Sequence, residues 1–132
     1  MEQLKSFFFD TYAFYELIKG NLNYKNYDKE IIVITTKLNL MELHYGLLRD
    51  EGKEIADKYY QKFLKFCVNI TDEIIKESNE FRLKNYQREL SYVDCLGYIL
   101  SRKLGAKFLT GDEQFKEFEN VEFVKFELNS DS

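Results

Sequence analysis

At 132 residues the chain falls below the ~150 of a typical domain, so one compact domain is expected. Its 19 basic and 23 acidic residues leave a net charge of −4, which excludes a protein that coats nucleic acid by bulk electrostatics. The 45% apolar and 17% aromatic content excludes disorder.

No proline, linker or repeat suggests an internal boundary, so the domain is expected to span 1–132, with a core over about 6–127 and a tail over about 128–132. Ser6 to Phe9 is an aromatic run without alternation, predicted as a strand buried on both faces. Thr11 to Lys19 reads as a helix closed by Gly20, and the polar stretch Asn21 to Glu30 as a loop. Ile31 to Thr35, β-branched and continuous, is a second buried strand. Thr36 caps a helix with the apolar stripe Leu40, Leu43, Leu47, ending near Gly52. Lys53 to Phe66 is a third helix, and Cys67 to Ile70 a short strand. Thr71 opens a fourth helix running to about Tyr86, and Ser91 caps a fifth that ends at Gly105. Lys107 to Thr110 and Val121 to Phe126 are the last strands, with a short helix around Glu113 to Phe118 between them. Alternating strands and helices imply a three-layer α/β/α sandwich around a mainly parallel sheet of about five strands.

Several chemistries drop out. Cys67 and Cys95 form no Cys-x-x-Cys pair, so neither a zinc site nor a disulfide framework is indicated; two free thiols suit a reducing compartment. Phe7-Phe8-Phe9 is too short for a signal-peptide core, and no run approaches the ~18 apolar residues of a membrane span. A cytoplasmic protein away from the membrane is the expectation. The lone His44 excludes a His-Glu-x-x-His zinc hydrolase.

In an open parallel sheet the chemistry lies beyond the carboxyl ends of the strands. Asp10 and Asp112 fall there, and each also suits a helix cap. Glu42 and Asp94 lie inside predicted helices. A structural acid on a helix surface commonly pairs with a cation three or four residues away. Around Glu42 those positions hold Leu38, Asn39, Tyr45 and Gly46; around Asp94 they hold Leu90, Ser91, Gly97 and Tyr98. No cation occurs in either set. Solvent exposure of both acids, and capping by Ser91 for Asp94, are the structural alternatives. Each acid is followed one turn later by a glycine, which costs roughly 0.5–1 kcal/mol against alanine. Such a glycine is expected where a backbone or a ligand comes close. If the four acids converge, they repel and desolvate one another unless a proton or a cation joins them. Oxygen ligands without histidine or thiolate suit Mg²⁺ or Mn²⁺, an arrangement suited to phosphodiester hydrolysis.

Phe8-Phe9-Asp10-Thr11, Asn39-Leu40-Met41-Glu42-Leu43, Asp94 within Ser91-Tyr92-Val93-Asp94-Cys95, and Leu109-Thr110-Gly111-Asp112 together resemble the PIN domain, most closely the toxin ribonucleases of the VapC type. The resemblance runs from Phe7 to about Phe126. It implies a Mg²⁺- or Mn²⁺-dependent endoribonuclease in which Asp10, Glu42, Asp94 and Asp112 bind metal and carry catalysis, with Thr11 and Thr110 supporting them. It also implies a small antitoxin partner and a homodimer. Asn39, one turn before Glu42, can add an amide to the site. Many members of the family carry Asn or Ser where this chain has Tyr12.

For contact with RNA, the basic residues Arg82, Lys84 and Arg88 precede the Asp94 helix, and Arg102, Lys103 and Lys107 follow it. Tyr12, Tyr45, Tyr92 and Tyr98 flank the acids and can stack on unpaired bases, or serve as core. Three other readings compete: a PIN nuclease of RNA processing or quality control, a haloacid-dehalogenase-like phosphohydrolase with Asp10 as nucleophile, and a catalytically silent interaction module. The second wants an acid where Tyr12 stands. The third gives no physical reason to keep repelling charges together.

Overall fold

In the computed structural model, residues 4–28 and 30–125 are described. Strand β1 (Ser6–Phe9) is the hub of the sheet, and its side chains divide the core in two. Phe7 and Phe9 point to one face and Phe8 to the other, as the two-residue period of a strand requires. Beneath Phe7 and Phe9 lie α1 (Thr11–Lys19), α2 (Lys37–Glu51) and α3 (Lys53–Phe63), through Phe14, Leu40, Leu43, Leu47, Ala56 and Phe63. Beneath Phe8 lie α4 (Asp72–Lys84) and α5 (Tyr92–Lys103), through Ile74, Leu96, Ile99 and Leu100. Two apolar faces covered by two sets of helices make the α/β/α sandwich.

β2 (Ile32–Ile34), β3 (Lys107–Thr110) and β4 (Val121–Phe123) complete a sheet of order β2-β1-β3-β4. All three pairings are parallel, with Phe8 opposite both Ile34 and Phe108. The carboxyl ends of β1, β2 and β3 therefore open on one edge, where Thr35 Oγ1 donates to the Phe9 carbonyl at 3.0 Å.

Helix starts follow the side-chain caps. Thr36, Thr71 and Ser91 accept from Asn39 N, Ile74 N and Asp94 N at 3.2, 3.2 and 3.0 Å. Gly20 ends α1 with φ +79°, a left-handed turn that only glycine adopts without strain.

Several expectations change. Ile31 to Thr35, expected as a buried strand, is an edge strand over Ile32–Ile34 with Ile32 48% exposed, and the expected helix around Glu113 to Phe118 is a 3₁₀ turn over Glu113–Phe115. Among the described residues the sheet has four strands, not about five. Cys67 to Ile70 pairs only as a single bridge, Cys67 with Thr35. The chain leaves a 3₁₀ turn (Leu64–Phe66) immediately before it, and Thr71 starts α4 immediately after, so a ladder has no room to extend. That same turn tightens the end of the predicted third helix. Asn21 to Glu30 contains a 3₁₀ helix (Leu22–Asp28), because Tyr24 is buried there and its hydroxyl donates to the Val124 carbonyl at 2.6 Å. Phe126, the expected end of the last strand, and the tail 128–132 lie outside the described residues. Among the described residues no helix is long and apolar enough to cross a membrane.

Candidate active site

The open edge of the sheet collects acids from four elements. Asp10 follows β1 and caps α1, its Oδ1 accepting from Ala13 N at 2.7 Å. Its side chain is 2% exposed. Asp112 follows β3 and caps a 3₁₀ turn (Glu113–Phe115), accepting from Gln114 N at 2.9 Å. Asp94 lies in the first turn of α5, and Glu42 in the second turn of α2. The capping roles of Asp10 and Asp112 are thus real, and each occupies one carboxylate oxygen with a backbone N–H.

Burial pushes the Asp10 carboxyl up to about 8, with the negative charges of Asp94 and Asp112 adding to it; a Thr110 hydrogen bond and the Ala13 N–H act in the opposite direction. Burial likewise raises Asp94 to about 6, helped by Glu42 and Asp112 and opposed by Ser91. These couplings run among all four acids. Among the described residues no lysine, arginine or histidine forms an ion pair with any of them.

The donor set is all oxygen, hard, and short of positive charge, which is what a Mg²⁺ or Mn²⁺ ion takes. Among the described residues no three His, Cys, Asp or Glu side chains close to a spacing that would hold an ion unaided. Mg²⁺ commonly uses only one or two carboxylates and keeps several waters. The residues present are compatible with such an ion.

A relay of hydrogen bonds fixes Glu42. Thr36 Oγ1 donates to Asn39 Oδ1 at 2.6 Å, Asn39 Nδ2 donates to Thr11 Oγ1 at 3.3 Å, and Thr11 Oγ1 donates to Glu42 Oε1 at 2.7 Å. Asn39 is fully buried, so its amide serves Thr11 rather than an acid directly. Replacing Asn39 with Ala removes one hydrogen bond from each of two hydroxyls and is expected to cost about 2 kcal/mol in urea unfolding. Thr110, also fully buried, accepts from Asp112 N at 3.0 Å and favours the ionised form of Asp10, so one hydroxyl acts on two acids.

The glycines one turn past the helical acids are explained by side chains. A Cβ at Gly97 would stand 2.6 Å from the Phe8 ring, and one at Gly46 would stand 1.4 Å from the Tyr15 hydroxyl. The close neighbours are therefore packed rings, neither backbone nor ligand.

The basic residues named from sequence are mostly engaged within the chain. Arg82 Nε donates to the Leu90 carbonyl at 2.9 Å, and its guanidinium lies 3.9 Å from the Tyr92 ring centre. Arg88 donates to the Gln114 carbonyl at 3.2 Å, close to Asp112. Lys84 is exposed at the end of α4. Arg102 and Lys103 sit in the last turn of α5, roughly 12 Å along the helix from Asp94. There they pair with Glu119 at 3.6 Å and Glu77 at 2.7 Å. Lys107 starts β3, at the opposite edge of the sheet from the acids.

Tyr98 is core, 1% exposed, with its hydroxyl on the Glu119 carbonyl. Tyr12, Tyr45 and Tyr92 are exposed. His44 bonds Asp57 at 2.8 Å, beside α3.

A cleft of about 760 Å³ runs from Glu42 and Asp94 between α1 and α2, and Tyr12, Tyr15, Tyr45, Lys19 and Arg49 help to line it. Sequence reasoning missed Lys19 and Arg49. Helical counting carries the signal for Arg49, which lies seven residues after Glu42 and therefore on its face of α2.

The PIN domain family model matches residues 7–121, which includes all four acids. Among solved structures the chain is similar to VapC20 of Mycobacterium tuberculosis, a sarcin–ricin-loop-cleaving toxin. That pair has a TM-score of 0.75 and 22% identity over 89% of this chain and 98% of that one. It is also similar to a chain of a toxin–antitoxin complex from Klebsiella pneumoniae (TM-score 0.69, 17% identity, 87% and 94% covered). A third is a chain of VapBC2 from Rickettsia felis bound to a DNA fragment from its promoter (TM-score 0.69, 20% identity, 92% and 99% covered). At these identities the likeness is one of fold. Among curated proteins none matches. With the family model spanning most of its length, from the central strand to the last one, the chain belongs to the PIN domain family.

Proposed function

We propose that this protein is a divalent-metal-dependent endoribonuclease, the toxin half of a toxin–antitoxin pair, with Asp10, Glu42, Asp94 and Asp112 as its metal-binding and catalytic acids. One observation supports the reading: four carboxylates whose charges act on one another lie toward the open end of a parallel sheet, with no cationic side chain paired to them among the described residues. A purely structural cluster would be neutralised by arginine or lysine.

A bound Mg²⁺ or Mn²⁺ would supply Lewis acidity toward phosphoryl oxygens and activation of water. The chain's own residues supply orientation. Thr11 holds one oxygen of Glu42 and leaves the other available, while Thr110 and the Ala13 N–H aim Asp10. The Thr110 hydroxyl and the turn after it set the direction of Asp112. Held this way, the acids need little reorganisation when a phosphodiester arrives.

The toxin–antitoxin complexes among the structural neighbours support a small protein partner for this chain, and the exposed apolar side chains Met41 and Leu48 of α2 and Ile55 of α3 offer a surface to a second copy. A cytoplasmic location follows from that reading. In the deciding experiment, the protein is incubated with a mixed RNA pool with and without Mn²⁺, beside the Asp94→Asn variant. Cleavage only by the wild type with metal is expected. Equal cleavage by both, or none by either, removes the proposal. In the same buffers Mn²⁺ should raise the melting temperature of the wild type and shift Asp94→Asn much less.

A further inference from the structure

Nearly every buried polar group in a folded protein has a partner, and an orphan requires an explanation. Among the described residues one buried side-chain polar atom lacks a hydrogen bond, the hydroxyl oxygen of Tyr15. Its position is specific. Tyr15 projects from α1 toward α2, and its oxygen occupies the space where residue 46 would carry a Cβ, 1.4 Å from that point. Only glycine at 46 leaves room for it.

An unsatisfied buried hydroxyl costs roughly 1–3 kcal/mol. Phenylalanine would pack in the same place without that penalty. The hydroxyl therefore contributes something other than stability to the free protein. Because it gains no hydrogen bond where it sits, moving it away sacrifices packing alone.

Tyr15 belongs to the cleft that begins at Glu42 and Asp94. Exposed Tyr12 and Tyr45 offer aromatic faces there. Lys19 brings positive charge to the same cleft, its Nζ 5.8 Å from the Tyr15 ring centre, while Arg49, 6.0 Å from the Tyr45 ring centre, is held by Asp50 at 2.8 and 3.1 Å. Flat rings interleaved with cations suit an unpaired nucleic-acid strand, whose bases stack while its phosphates are held.

Resting on the nuclease reading above, we propose that Tyr15 is a two-position substrate-binding residue. Its hydroxyl parks against Gly46 in the free protein and swings into the cleft to donate a hydrogen bond to an acceptor oxygen of the bound RNA strand. Tyr15 is then a binding and positioning residue for the substrate strand, one turn along α1 from Thr11, which holds Glu42.

The test compares Tyr15→Phe with Tyr24→Phe. Tyr24 also buries its ring, but its hydroxyl is satisfied by the Val124 carbonyl at 2.6 Å, and Tyr24 is not among the residues lining the cleft. In an Asp94→Asn background, affinity for a fluorescein-labelled unstructured RNA of mixed sequence is measured by anisotropy. Tyr15→Phe is expected to bind about tenfold more weakly, with a melting temperature equal to or above its parent. Tyr24→Phe is expected to melt lower and bind RNA unchanged. In the active background Tyr15→Phe should raise KM and leave kcat at saturation unaltered.

Unchanged RNA affinity in Tyr15→Phe overturns the proposal, as does a fall in melting temperature matching that of Tyr24→Phe. Weakened retention of a copurifying small protein with RNA affinity intact also overturns it, and would assign the hydroxyl to a protein partner. Wild-type cleavage of the same RNA separates the two readings. If cleavage is seen while Tyr15→Phe behaves as wild type, only the Tyr15 assignment falls; if wild type neither binds nor cleaves, both fall.

Discussion

Asp10→Asn is expected to lower metal-dependent RNA cleavage by at least about a thousandfold and, in metal-free buffer near pH 8, to raise the melting temperature by roughly 5–10 °C. The two effects share one cause. Asp10 is buried beside other acids, and its carboxyl titrates at about 8 instead of the usual 3.8. Asparagine keeps the cap on α1, since its side-chain oxygen still accepts from Ala13 N, and it has no charge to desolvate. The pH dependence has a definite sign. A carboxyl whose folded pKa is raised binds its proton more tightly in the folded state than in the unfolded one. Its contribution to stability is complete below about pH 4 and disappears as pH rises through about 8. Asp94, raised to about 6, adds a loss over the lower part of that window. Metal-free wild type should therefore melt at progressively lower temperature from pH 5 to pH 8, and Asp10→Asn should show a clearly shallower fall. Cleavage by Asp10→Asn at the wild-type rate would remove Asp10 from the mechanism. A variant that melts lower than wild type at pH 8 would contradict the electrostatic account.

Gly97→Ala is expected to destabilise the protein by about 2–3 kcal/mol and to impair cleavage as well. The added methyl would meet two ring atoms of Phe8 at 2.6 and 2.9 Å and one of Phe108 at 3.3 Å. Both rings are fully buried and stacked on each other, with centroids 5.8 Å apart, so neither can turn aside cheaply. The helix must lift from the sheet instead. Asp94 rides on that helix one turn earlier and would be carried away from Asp10. A lowered urea midpoint with an unchanged slope, together with reduced cleavage, is the expected pattern. An unchanged midpoint would mean that the core accommodates the methyl group.

Local chemistry made much of this architecture legible from sequence. Thr36, Thr71 and Ser91 announce helix starts because a side-chain oxygen followed by a free N–H is a short-range signal. Phe7-Phe8-Phe9 announces a strand covered on both faces because only such a strand can hide three consecutive rings. Counting along the helices set Glu42 and Asp94 apart from ordinary surface acids, since neither has a cation within one turn.

Long-range packing accounts for what was missed. Nothing local distinguishes Cys67 to Ile70 from a strand; the turn before it and the cap after it limit it to one bridge. The partners of Gly46 and Gly97 lie in other elements, so a glycine on a helix gave no hint that a ring fills its place. Arg102 and Lys103 form the last turn of the Asp94 helix, whose length sets them far from the acids, where they pair with Glu119 and Glu77. Lys19 and Arg49 share a cleft with Glu42 and Asp94 only because α1 and α2 pack side by side.

The crowding of Asp10 and Asp94 can be read directly as protons displaced when an ion enters. Calorimetric titration with Mn²⁺ at pH 7, repeated in buffers of different ionisation enthalpy, counts them. Wild type should release about one proton per ion, chiefly from Asp10, whose carboxyl is still mostly protonated there, and Asp10→Asn should release far fewer. Binding with no proton release, or with the same release in both proteins, would contradict the claim that these acids share one cation site.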